Sequence, residues 1–361
     1  MTTTSELEGK ERMSQKKHGF LRAIGWFFAV CIALELVLRL FGYGSYTLYR
    51  PDERLLWVPL PGRTLTVVNH LPITINDQGF RYPVDVKPKQ AGEFRVIAFG
   101  DSSTQGWGVD DNSTYSAQLE KLLSRTSCGK QHFEVIDAGV NAYPNALVAE
   151  KLKEVLEDNV VQPDIAIFAY SYNSNFEKLT KLQGKAREDF LRRVWFKGIV
   201  RRSALYNFTI EGVLRRLVYY NLRHVLMAGT LSSEGGMEAL DMDYYHQALE
   251  QSVELSRAHH VQLIFLMLGS KGQVMNKDMF PFQTAMLDFA EKEHVPIVNM
   301  IPIASSKNQD DVFLDPVHPS VAGHELIAEQ LLQTVQALPP YQAACRNENA
   351  STLAATSSPG H

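Results

Sequence analysis

VIAFGDSST, Val96 to Thr104, is an apolar strand that stops at Gly100 and delivers Asp101 and Ser102 into a turn. A serine at the C-terminal tip of a buried strand is held by backbone on both sides, so its hydroxyl can be aimed rather than merely exposed. Ser102 is therefore the candidate nucleophile. The plainer reading makes Gly-Asp-Ser-Ser a polar turn between a strand and a helix, and the rest of the chain has to decide between the two.

Downstream, strands and helices alternate. Tyr115, Leu119, Leu122 and Leu123 recur at helical spacing after a cap at Asn112 or Ser113. Phe133 to Ile136 reads as a second strand, ending in Asp137-Ala138-Gly139, and Asn145 to Asp158 as the next helix. Asp164 to Tyr170 has no polar alternation, as expected of a strand covered on both faces. Further strands are expected at Val261 to Leu268 and Pro296 to Met300, each after a helix, and Asp315-Pro316-Val317-His318-Pro319 opens a last helix. This βαβ order implies right-handed crossovers and a parallel sheet in an α/β fold. A helical, strongly basic stretch at about 176–237 interrupts the rhythm. It reads as a solvated insertion or, more sharply, as a lid or membrane-facing cap.

Upstream, residues 1–18 are polar and basic, and 19–42 form a hydrophobic helix expected to cross a membrane once. Glu35 and Arg39 stand four apart and can pair near an interface. Cations crowd the N-terminal flank, which predicts a cytoplasmic N-terminus and an exported remainder. Residues 43–93, rich in proline and glycine, read as a stalk and small β element with no assigned chemistry, ahead of a domain at 94–338. Residues 339–361 read as a disordered tail. A net charge of −4 and ordinary apolar content give no sign of a nucleic-acid partner. Cys31, Cys128 and Cys345 have no metal-ligand spacing, and neither metal nor cofactor is expected. Export would make Cys128 and Cys345 candidates for a disulfide, although the tail position of Cys345 weighs against it.

The tips of parallel strands converge on one edge of a sheet, and here they carry Ser102, Gly139, Asn173 and the Asp315/His318 pair. His318 suits the work of base, Asp315 can fix its tautomer, and the N–H groups of Ser102 and Gly139 with the Asn173 amide can face an oxyanion. His259, His260 and His324 read as ordinary helix or surface residues. The blocks GDSS (100–103), DAG (137–139), YSYNS (170–174) and DPVHP (315–319) resemble the signature blocks of the SGNH/GDSL hydrolase superfamily. The third carries Ser171 and Ser174 where that pattern has glycine and aspartate.

The resemblance implies a three-layer, flavodoxin-like sandwich around a central parallel sheet. It assigns catalysis to Ser102, Asp315 and His318 and the oxyanion hole to Ser102, Gly139 and Asn173. The anchor and stalk look like those of membrane-anchored bacterial members, which places the domain outside the cytoplasmic membrane. The expected activity is an esterase or deacylase acting on an acyl ester, including acylated glycans or lipids. The alternatives are an O-acyltransferase acting on an envelope or exopolysaccharide hydroxyl, and a non-catalytic binding or assembly protein of the same fold.

Overall fold

The computed structural model describes residues 3–46, 49–65, 70–126, 128, 132–170, 177–214 and 242–346. Its first element is the long helix α1 (Thr3–Leu40). The part from Lys17 to Leu40 is long and apolar enough to cross a membrane, a test that a signal sequence also passes. Glu35 and Arg39 pair at 2.7 Å, as their spacing predicts.

Two small hairpins follow. β1 (Tyr49–Asp52) pairs with β2 (Leu56–Pro59), and β3 (Gly62–Leu65) with β4 (Pro72–Ile75), both antiparallel. The central sheet is made of β5 (Glu93–Phe99), β6 (His132–Asp137), β7 (Ile165–Ala169), β8 (Gln262–Met267) and β9 (Ile297–Asn299) in the order β6-β5-β7-β8-β9, all parallel. Strand order reverses beside β5. In open α/β sheets that is where a crevice opens at the C-terminal strand ends, and the GDSS turn leaves β5 at this point.

Pleating sends successive β5 side chains to opposite faces, and both faces are covered. Val96 and Ala98 pack with Tyr115, Leu119, Ile327 and Leu331 on one side. Ile97 and Phe99 pack with Val148, Leu152, Leu249 and Met286 on the other. The covering helices include α3 (Tyr115–Leu123) and α4 (Asn145–Asp158), after the short turn of helix α2 (Ser102–Gln105). The N-cap of α3 is Thr114, whose side chain accepts the Ala117 N–H, rather than Asn112 or Ser113.

The basic insertion begins with α5 (Glu177–Thr180), α6 (Gly184–Val200) and α7 (Ala204–Asn207), followed by a π-helical turn at Phe208–Leu214. Its remainder, 215–241, lies outside the described residues. α6 lies against β1 so closely that a Cβ on Gly198 would stand 2.7 Å from the Tyr49 carbonyl oxygen. Glu35 of α1 accepts hydrogen bonds from Ser203 Oγ (2.8 Å) and from the backbone N–H groups of Ala204 and Leu205 (2.9 Å each). Arg39 donates to the Arg202 carbonyl at 2.7 Å. The charged pair of α1 thus fastens that helix to the start of α7.

The second half of the domain contains α8 (Met242–Ala258), α9 (Lys271–Asn276), α10 (Pro281–Glu293), α11 (Met300–Ala304), α12 (Gln309–Val312) and α13 (Val321–Ala337). The expectation of disorder from residue 339 is corrected here, because residues 339–346 are helical. Tyr341 is buried against Phe94 and Phe133, and Cys345 is bonded to Cys128 with 4.8 Å between Cα atoms. The small and polar residues of the tail hide the one aromatic side chain and the one thiol that hold this segment down.

Arg81, in the segment read as a stalk and small β element without chemistry, is the buried brace of the GDSS turn. Its guanidinium donates to the carbonyls of Gln105 (2.5 Å), Gly106 (2.9 Å) and Val109 (2.9 Å) and pairs with Asp111 at 3.0 Å. Replacing it with methionine strands these buried acceptors and the carboxylate. Arg81→Met is expected to cost about 3 kcal/mol of stability, read as a shift of the denaturant midpoint at unchanged slope. A change under about 0.5 kcal/mol would refute the bracing role.

Candidate active site

The β5 strand ends at Gly100 because nothing larger fits. A Cβ there would lie 2.0 Å from Thr104 Oγ1 and 3.0 Å from the Ala169 Cβ. Asp101 caps the next turn, its carboxylate accepting the Ser103 N–H at 2.8 Å, and Ser102 becomes the first residue of α2. Gly106 closes that turn at φ 76°, a left-handed conformation that glycine adopts without steric cost. Ser102 is held between these two glycines and is only 7 % exposed.

His318 reaches it from the loop before α13. Ser102 Oγ and His318 Nε2 are 2.9 Å apart, and His318 Nδ1 stands 2.7 Å from Asp315 Oδ2. With Nδ1–H donating to the carboxylate, Nε2 is left to accept the serine proton. Asp315 uses its other oxygen to shape the loop, since Oδ1 accepts the N–H groups of Val317 (2.9 Å) and His318 (2.8 Å). Burial pushes the Asp315 carboxyl up, but these hydrogen bonds outweigh it and hold the group below the usual carboxylate range. The loop is fixed further by Leu314 N–H to the His318 carbonyl and by Lys271 N–H to the Pro316 carbonyl. The Trp107 ring lies 5.7 Å from the imidazole, centre to centre.

These groups line a cavity of about 600 Å³, within the range of small-molecule sites. Its walls come partly from segments to which the sequence reading gives no chemistry. Tyr49 of β1 and Trp57 of β2 line it, as do Phe190 and Val194 of α6. Tyr49 Oη donates to Gln105 Oε1 at 3.0 Å, tying the hairpin to the nucleophile turn. Neither aromatic stands in a motif, so only the fold could bring them here.

Gly139 follows the tip of β6, where the sequence places it, but its N–H is engaged. Its N–H donates to Asp137 Oδ1 at 2.9 Å, and a Cβ on it would stand 2.4 Å from the Gln105 nitrogen and 2.8 Å from Thr104. It is a packing glycine beneath α2, and its N–H is already taken. Three residues on, Ala142 lines the cavity with φ 67°. Its N–H and that of Ser102 find no acceptor among the described residues. Asn173 lies outside the described residues, as do Ser171 and Ser174. His324 is a residue of α13, as the helix reading has it, but fully buried: it accepts the Tyr115 N–H on Nδ1, and burial pushes its imidazole down to about 3. No cluster able to hold a metal ion occurs among the described residues.

An α/β fold with an assembled serine, histidine and aspartate at the strand ends has the equipment of an ester hydrolase. The chain belongs to the GDSL-like lipase/acylhydrolase family, whose model matches residues 98–326, and it is an ester-hydrolysing enzyme. Among solved structures it is similar to an acetyl xylan esterase from Geobacillus stearothermophilus (15 % identity, TM-score 0.41, covering 66 % of this chain and 93 % of that one). It is also similar to the psychrotrophic esterase EstA from Pseudoalteromonas sp. (12 % identity, TM-score 0.39, 67 % and 96 %). A third is a two-domain esterase active on acetylated mannans (15 % identity, TM-score 0.42, 68 % and 50 %). No curated protein matches the chain by sequence.

Asp137 sits beneath this site, fully buried, with the Ser116 hydroxyl beside its carboxylate. Burial pushes its carboxyl up to about 7, against the opposing pull of the Gly139 N–H and Arg81. The folded protein therefore binds a proton that the unfolded chain, with its ordinary carboxyl near 4, releases. Between those values stability falls as pH rises, and above about 7 the full penalty is present. Asp137→Asn keeps an acceptor for Gly139 and removes the charge. Its melting temperature is expected to exceed that of the native protein at pH 8, with the gap closing towards pH 4; a gap independent of pH would contradict the buried titration.

Proposed function

We propose that the protein is a membrane-anchored, exported serine esterase or deacylase. The observation that carries the catalytic part is the Ser102–His318–Asp315 hydrogen-bond chain, with its 2.9 and 2.7 Å contacts. His318 Nε2 takes the Ser102 proton as Oγ attacks the ester carbonyl carbon. The tetrahedral intermediate collapses when the imidazolium returns that proton to the departing alcohol. Water, deprotonated by the same nitrogen, then attacks the acyl-serine and releases the carboxylic acid and free Ser102. Asp315 stabilises the imidazolium through both half-reactions.

The charge that develops on the carbonyl oxygen is met by the N–H groups of Ser102 and Ala142, joined by the Asn173 amide. Ala142 takes the place that the family resemblance gives to Gly139. Its left-handed backbone turns the peptide at the cavity wall, a conformation that costs about 1 kcal/mol or more in an alanine and is seen most often at functional sites.

Anchoring and export rest on separate support. The Lys17–Leu40 helix is none of it buried, and the basic flank precedes it, which favours a cytoplasmic N-terminus. The Cys128–Cys345 bond is of the kind that persists in an oxidising compartment. We place the enzyme in the bacterial cytoplasmic membrane with its catalytic domain outside.

The full chain in detergent is expected to react with an ester-directed phosphonate at Ser102, and Ser102→Ala to lose the label. His318→Ala is expected to lower acyl-ester turnover on the order of 10³-fold or more; a loss of only a few-fold would remove it from the role of base. A reporter fused after His361 is expected to be active only outside the cytoplasm, and a cytoplasmic signal would reverse the orientation.

A further inference from the structure

The cavity wall opposite the nucleophile turn carries an unusual distribution of charge. α6 and the residue that caps it supply Arg193, Lys197 and Arg201 to the lining, at successive four-residue steps along one face and over about 12 Å of helix. The same face adds Phe190, Val194 and Gly198. The acids of α6, Glu188 and Asp189, do not line the cavity. A solvated basic helix turns cations to water and apolar groups inward. In α6 Phe190, Leu191 and Val194 turn inward, and the three cations edge the space in front of Ser102, Arg193 and Lys197 exposed and Arg201 half-buried.

The carboxylates among the described lining residues are Asp101 and Asp315. Both belong to the opposite side and both are engaged, Asp101 with the Ser103 N–H and Asp315 with His318 and two backbone N–H groups. Among the described residues, cations therefore dominate the α6 wall, and the carboxylates lie on the opposite side. Trp57, Trp107 and Leu179 add apolar lining that lowers the local dielectric beside the cations, which strengthens the pull on an incoming anion.

We propose that the cavity takes acyl esters bearing an anionic group, a carboxylate or a phosphate, held along Arg193, Lys197 and Arg201 while the ester carbonyl lies at Ser102. This rests on the esterase reading above. It assigns the insertion a part in substrate choice, with the carbonyl and the anion recognised by separate elements. Lysine meets such an anion as a point charge, whereas the two arginines can meet it as bidentate forks.

The test compares acetate esters matched in all but charge: 4-acetoxybenzoate, 4-acetoxyphenyl phosphate and the neutral 4-acetoxybenzamide. Rates are measured with the full chain in uncharged detergent, each corrected for its spontaneous hydrolysis. The expected result is kcat/KM about tenfold or more higher for at least one anionic ester than for the amide, a preference worth about 1.4 kcal/mol. The ratio is expected to fall as salt is raised from about 0.01 to 1 M, as Debye screening shortens. In Arg193→Glu/Lys197→Glu it is expected to drop to one or below. The carboxylate and phosphate arms identify which anion is preferred. Equal rates for all three esters in the native protein would overturn the proposal and leave the esterase reading standing, as would a preference insensitive to salt. Cleavage of none of them would remove both. The salt series uses the unaltered chain, so its outcome does not depend on the variant folding.

Discussion

One buried guanidinium sets the geometry on which this enzyme depends. Arg81 gathers the carbonyls at the end of the GDSS turn, while its own N–H donates to the Asp137 carbonyl at 2.9 Å. It therefore links the tips of β5 and β6, which otherwise leave the sheet with unsatisfied backbone groups. A turn of only four helical residues has little stability of its own, and a helix so short is marginal without tertiary support. The brace comes from the segment before the sheet. The position of Ser102 is thus a property of the whole domain.

Asp315 applies the same economy on the facing side. One oxygen orders the backbone of the loop and the other orients the imidazole, so a single carboxylate couples loop shape to the tautomer of His318. The two halves of the site meet from distant parts of the chain, the serine and the histidine being 216 positions apart. They come together because parallel strands point their C-terminal ends to one edge. The lining from β1, β2 and α6 then converts a crevice into a walled cavity.

Much of this is legible locally. The unbroken apolar runs at Val96 to Phe99 and Ile165 to Ala169 read as strands covered on both faces, and they are such strands; the order of strands and helices leaves little choice of topology. GDSS and DPVHP carry their geometry within a few residues, so the serine and the Asp/His pair are visible in one dimension. The second block misleads for a physical reason. Glycine is read as the residue that frees a backbone N–H, but Gly139 is small because α2 sits on it, and the left-handed turn falls on Ala142, whose identity gives no such signal. Tyr49, Trp57 and Arg81 are illegible because their roles depend on docking a proline-rich segment whose own pattern is weak. Helix 339–346 escapes notice because its stability comes from a buried tyrosine and a cysteine bond rather than from apolar periodicity.

The bond between Cys128 and Cys345 has a consequence for the order in which the molecule is made. Its partners are 217 residues apart, and β6, β7, β8 and β9 all lie between them, as do Asp315 and His318. During synthesis from the N-terminus Cys128 appears early and waits for a partner that arrives only after the sheet and both halves of the active site have been made. The covalent seal therefore closes only once residue 345 has been made, and a polypeptide interrupted anywhere in that interval is left with an open thiol at Cys128. Thiol chemistry at this one position separates chains that have reached Cys345 from those that have not.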